Sequence, residues 1–323
     1  MKQTKTAVLI FTIIFSIISC SKNDDFDPTI YNGDISFLTQ KQIDDFGKLG
    51  YTSIIGNVEI GPIDTPSDKI NNLDGLKQLK AIGGSLYIGK NEVLSNIDGL
   101  SSLSSIRKYF QLRYNKMLTN INGLHNLTSI SSELFIEQSP ALINIDGLRN
   151  LSSIGGEISL YNNKRLTNID GLTNIRNIRD DITIFGNDAL ADIDGLKKIV
   201  AIEGEITIDN NKSLKNLNGL NNLISISSDL TLSDNDALTN IDGLSNLSKV
   251  GVAVEIWNND GLTNLDALNN LSSVQFFSIK LNDNLTNFCG ISSLFTNVSP
   301  AATIQNNAYN PNHQNFIEGS CSN

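Results

Sequence analysis

Residues 151–172 read LSSIGGEISLYNNKRLTNIDGL, and the same pattern returns 24 residues later over 175–196 and again over 199–220. Leu151, Ile154, Ile158, Leu160, Leu166, Ile169 and Leu172 are followed at that interval by Ile175, Ile178, Ile182, Ile184, Leu190, Ile193 and Leu196. Ile199, Ile202, Ile206, Ile208, Leu214, Leu217 and Leu220 come next. Every column stays aliphatic. A fixed period of this length predicts a solenoid, in which residues one period apart are stacked neighbours.

Within a unit, the alternation Ile158-Ser159-Leu160 is the period-two signal of a short strand with two inward side chains. Leu148, Leu151 and Ile154 fall three apart, which suits a tight helical turn or a bent second strand. A strand this short buries nothing alone, so it predicts a parallel sheet of stacked turns about 4.8 Å apart. Asn91, Asn115, Asn163, Asn187, Asn211, Asn235 and Asn259, with Ser139 in the same register, predict an inward ladder bonding the backbone where each turn bends.

Asp-Gly-Leu or a variant begins at Asp74, Asp98, Asn122, Asp146, Asp170, Asp194, Asn218, Asp242 and Asp266, with a degenerate copy at Cys289. A row of carboxylates invites a catalytic reading. The exchange with Asn122 and Asn218 argues instead for a backbone cap, since an amide oxygen accepts an N–H as well as a carboxylate does.

The motif from Leu151 to Leu166, Leu-x-x-Ile-Gly-Gly-x-Ile-x-Leu-x-x-Asn-x-x-Leu, resembles the receptor L-domain, a relative of the leucine-rich repeats. The ordinary leucine-rich pattern places Leu two residues after Asn; here Leu166 lies three after Asn163. The resemblance covers roughly residues 50–300. It implies a mainly β, right-handed parallel β-solenoid with a helical N-terminal cap, a Cys-containing end and a recognition role. The chain departs from that family in its greater regularity and in lacking Cys-rich modules.

The ends fit this architecture. Thr39 followed by Gln40 to Lys48 predicts an N-capped amphipathic helix, and Gly56 to Ile60 the first strand. Asn310-Pro311 predicts the start of a short helix running to Gly319. Lys2 and Lys5 precede an apolar run from Ala7 to Ile18, the form of an export signal over residues 1–19. Ile17-Ile18-Ser19-Cys20 resembles the lipobox of bacterial lipoproteins, which implies cleavage before Cys20, its lipidation, and membrane attachment at the outer membrane or cell surface. An ordinary secretory signal that happens to end in Cys is the alternative. Residues 20–34 read as an acidic flexible tether and 35–323 as one solenoid including its caps. Cys289 and Cys321 are the only other cysteines; in an exported chain they are expected to bridge, the alternative being two free thiols.

Net charge is −10, and removing a leader that carries Lys2 and Lys5 lowers it to −12. Such a chain repels phosphate backbones, so no nucleic-acid partner is expected. His125 and His313 lie in different regions, with no zinc spacing, phosphate loop or nucleophile motif. No cofactor and no catalysis are expected. A polysaccharide-active β-helix enzyme would need a loop interrupting the register, and none occurs.

Function is therefore sought on the outward columns. One holds Glu133, Glu157, Asp181, Glu205 and Asp229: a solvated edge, or a groove for Ca²⁺ or a cationic ligand. The others place Tyr87, Phe135, Tyr161, Phe185 and Trp257 on one sheet face. These aromatics suit a protein or glycan contact centred on Tyr161 and Phe185, or lateral packing between strands. A surface spacer without a specific ligand is the remaining alternative.

Overall fold

The computed structural model describes residues 28–62, 69–298 and 300–323. The leader of residues 1–19 and Cys20 lie outside the described residues. Among those described, no helix is long and apolar enough to cross a membrane.

Most coils contribute one longer strand, one 3₁₀ turn and one two-residue strand. The longer strands form one parallel sheet of twelve, running in chain order from Ile35–Phe37 to Ala301–Gln305. Leu160 pairs with Ile184, and Ile184 with Ile208, in unbroken register, and all three are fully buried. The chain is thus a parallel β-solenoid, with Ile and Leu files running the length of its core. The residues spaced by three resolve into both alternatives at once: a 3₁₀ turn over Asp146–Leu148, then the short strand Ser153–Ile154. The short strands form a sheet of six and a sheet of four. No ladder joins Ser153–Ile154 to Asn177–Ile178, where Arg176, Asn177 and Arg179 replace the small Ser and Gly of the preceding coil.

The glycine of Asp-Gly-Leu exists for coil spacing. A Cβ on Gly147 would stand 1.9 Å from the carbonyl oxygen of Ile121 in the coil before. The cap, however, is not the Asp. The Asx turn lies two residues upstream: the Asp98 N–H donates to Asn96 Oδ1 (3.1 Å), that of Asp146 to Asn144 (3.2 Å) and that of Asp194 to Asp192 (3.2 Å). The Asp side chains point outward, and Asp74 and Asp146 pair with Lys77 and Arg149 three residues on. An exposed carboxylate or amide serves equally there, which is why Asn122 and Asn218 are accepted.

The asparagine ladder is fully buried. Each Nδ2 reaches back to a strand carbonyl, as Asn211 to Ile184 (2.8 Å), and from Asn163 onward each Oδ1 accepts the backbone N–H of the previous rung, as Asn235 from Asn211 (3.0 Å); Asn115 Oδ1 instead accepts from Asn91 Nδ2 (3.0 Å). Ser139 takes only part of this role, accepting from Asn115 N–H at 3.4 Å and donating to the Glu137 carbonyl at 3.2 Å.

At the N-terminal end, helix α1 (Gln40–Gly47) closes the core with Ile43 and Phe46. Its N-cap is Thr39, in a capping box with Gln42. The ordered body begins before residue 35, because Ile30–Tyr31 pairs with Ser53–Ile54, so the tether boundary at 34 is drawn too late. At the other end, helix α2 (Ser292–Asn297) and helix α3 (His313–Ile317) stack Phe295 on Phe316, centroids 4.2 Å apart. Helix α3 begins two residues after Pro311, because Asn312 is the N-cap and boxes with Asn315. Cys289 and Cys321 are disulfide-bonded, with Cα atoms 5.0 Å apart, which pins the C-terminal cap onto the last 3₁₀ turn.

Candidate functional site

The outer face of the twelve-stranded sheet carries the three expected columns. Strand pairing aligns Phe135 with Ser159 and Thr183, and Glu137 with Tyr161 and Phe185. Tyr161 and Phe185 stack with centroids 4.7 Å apart and planes 10° from parallel. Phe135 meets Tyr109 edge to face at 6.4 Å. Trp257 is committed elsewhere: its Nε1 donates to Ser278 O (3.1 Å) and Oγ (3.0 Å), with the Lys280 ammonium 6.0 Å above the ring. Of the five aromatics, only Tyr161 and Phe185 make ring-to-ring contact with each other, so the face is a set of separate anchors rather than one patch.

The acidic column divides by side-chain length. The shorter acids turn onto the backbone of the next coil: Asp181 accepts the Glu205 N–H at 2.8 Å, and Asp229 accepts that of Ala253 at 2.9 Å. Burial, then the charges of Asp181 and Asp180, push the Glu157 carboxyl above the ordinary range. Burial and Asp181 push Glu205 the same way. Among the described residues, no three His, Cys, Asp or Glu side chains converge as a metal-binding group. His125 is exposed on a 3₁₀ turn, while His313 packs edge to face on Phe295.

A concavity on this face lies nearer the N-terminus, away from Tyr161. It is a cleft of about 480 Å³, lined among others by Glu59, Tyr87, Tyr109, Gln111, Arg113 and Tyr114. One wall takes its shape from a missing side chain. In the third outward column Gly89 pairs with Arg113, and a Cβ on Gly89 would fall 2.0 Å from Tyr87 Oη and 2.1 Å from Cζ. The Tyr87 ring therefore lies across a bare backbone, and burial raises the pKa of its phenol above the ordinary value, with Arg113 opposing.

The rim is strained. The residue after each longer strand but the first takes the left-handed conformation, which suits Asn162 (φ 55°), Gly186 (φ 67°) and Asn258 (φ 52°). At the cleft, that position holds Lys90 (φ 54°) and Tyr114 (φ 57°). Left-handed backbone costs a side chain without a local hydrogen-bonding group about 1–2 kcal/mol. Arg113 braces Tyr114, with its guanidinium carbon 4.7 Å over the ring and NH2 3.2 Å from the phenol oxygen; its Nε lies 3.4 Å from Glu137. Outward alternation places Tyr87 and Arg113 on this face, but not Lys90 or Tyr114, which follow their strands. The legible signal was the glycine at 89 and the large residues at 90 and 114, in a register that most other coils fill with Asn, Asp or Gly, Gln138 and Leu281 being the further exceptions.

No protein-family model and no curated protein matches the chain. Among solved structures, an internalin from Listeria monocytogenes is similar at 15% identity and a TM-score of 0.41, covering 84% of this chain and 76% of that one. A leucine-rich-repeat protein from Leptospira interrogans is similar at 15% identity and a TM-score of 0.35, covering 89% and 81%. Both are loose likenesses of fold.

Proposed function

We propose that the protein is a lipid-anchored surface recognition module, held to the membrane through Cys20, whose outer sheet face contacts a partner protein or glycan without chemistry on it. One observation carries this reading: twelve strands in continuous register hold an uninterrupted face, with the Tyr161–Phe185 stack half-exposed at its middle. Rigid aromatics lose little freedom on binding and are frequent anchors. The backbone polar groups of that face are already spent in the ladder, so recognition there falls to side chains.

The test has two arms. Mass spectrometry of the mature N-terminus, with membrane fractionation of a Cys20→Ala variant, examines the anchor; an unmodified Cys20 or a membrane-bound variant defeats it. Screening the purified protein against surface-protein and glycan arrays, beside a Tyr161→Ala/Phe185→Ala variant, examines the face. Equal signals from both proteins remove the proposed contact, and no signal from either favours a spacer.

A further inference from the structure

We infer that the cleft between Glu59, Tyr87 and Tyr114 is a separate binding subsite for a neutral saccharide. It accompanies the recognition reading but uses other residues, so either can fail alone.

Three features point to this ligand class. First, the walls combine phenol rings with planar hydrogen-bonding groups, Gln111, Arg113 and Glu59, around a volume typical of small-molecule sites. A pyranose presents the matching surface: apolar C–H faces for rings, and paired hydroxyls for amide, guanidinium and carboxylate groups. Second, the formal charges around the cleft sum to zero. Arg113 pairs with Glu137, Lys90 sits 5.9 Å from the Tyr114 ring centre, and Glu59, of opposite sign to Lys90, accepts from Ser36 at 2.9 Å. No net charge there calls for an ionic ligand, and a chain of net charge −10 disfavours an acidic one. Third, Leu86–Gly89 is hydrogen-bonded to neighbouring strands on both sides, so an extended peptide finds no backbone partner on this face.

The strain at Lys90 and Tyr114 is the independent observation. Strained backbone gathers at binding sites, where surrounding structure holds it. Tyrosine at 114, in a register that most other coils fill with Asn, Asp or Gly, places a ring on the rim at a cost in stability. Gly89 supplies a second probe of the same wall: its φ is not in the left-handed region, and an added methyl would displace the Tyr87 ring, whose Oη and Cζ occupy that place.

The experiment is ligand-observed saturation-transfer NMR on the purified protein, using methyl glucoside, methyl galactoside, methyl mannoside and N-acetylglucosamine at millimolar concentration. Glucuronate and adenosine serve as charged and aromatic comparators. At least one neutral pyranoside should bind, with an affinity insensitive to salt. Tyr87→Ala and Gly89→Ala should each weaken it about tenfold or more. Tyr114→Asn should weaken binding while leaving the melting temperature unchanged or higher, which separates lost contact from lost fold. The Tyr161→Ala/Phe185→Ala variant should retain it. The inference is overturned if no neutral pyranoside binds, if only glucuronate or adenosine does, or if binding survives in Gly89→Ala and Tyr87→Ala.

Discussion

Replacing Asn211 with Ala removes one rung of the buried ladder. In the native chain its Oδ1 accepts the Asn187 N–H at 3.1 Å, and its Nδ2 donates to the Ile184 and Asp209 carbonyls at 2.8 and 3.0 Å. Truncation leaves the Asn187 N–H with no acceptor in a fully buried place, and both carbonyls lose a donor. An orphaned buried donor costs about 1–3 kcal/mol, and the lost amide bonds add roughly 0.5–1.5 kcal/mol, so about 2–4 kcal/mol is expected. For a domain this large that lowers the melting temperature by about 4–10 °C. Asn211→Ser should lose roughly half as much, because Ser139 shows that a hydroxyl accepts the same N–H at longer range. Urea unfolding followed by far-ultraviolet circular dichroism measures the loss. Trp257, the only tryptophan, adds a fluorescence reporter two coils away. Stability within about 0.5 kcal/mol of native by both probes would refute the account, because an unpaired buried N–H cannot be that cheap.

The bridge Cys289–Cys321 closes 32 residues, so Cys321→Ser should cost about 3–4 kcal/mol, seen as a lowered urea midpoint. Gly147→Ala should destabilise by about 1–3 kcal/mol, since its methyl meets the Ile121 carbonyl rather than a movable side chain; an unchanged melting temperature would contradict the coil-spacing role. Glu157 and Glu205 titrate above their unfolded value, so their charged forms weaken the fold, fully so above the folded pKa and not at all below the unfolded one. Glu157→Gln/Glu205→Gln should therefore raise the melting temperature at pH 7, with the gain vanishing as pH falls below the ordinary Glu value of 4.5. A gain that persists in acid would point to packing instead.

Repetition made the core legible: a column that stays Ile or Leu through successive copies has one reading, and Leu160, Ile184 and Ile208 stand as expected. The helix after Thr39 was legible because a capping box is a local signal. Legibility failed where the interval slips. The ladder continues through Asn282 and Asn307, but their spacings of 23 and 25 hide them from a search at 24. The capping role was misplaced by two residues because Asn96 and Asp98 repeat in step, and periodicity cannot say which of two co-varying polar residues faces the backbone. The cleft was the least legible feature. It arises where Gly89 leaves space, and a pattern of side chains does not display the shape of a gap.

The unpaired junction between Ser153–Ile154 and Asn177–Ile178 gives the rod two unlike sides. Along the long-strand side, backbone bonds run through every coil; on the opposite side the short-strand ladder lapses at this level, midway along the rod. A transverse load should therefore open the molecule at that level, as a book opens on its spine, with the intact sheet as the spine. Tyr161 and Phe185 flank the same level on the spine, so flexing there would alter the angle between their rings while leaving the N-terminal half, cleft included, to move as a block.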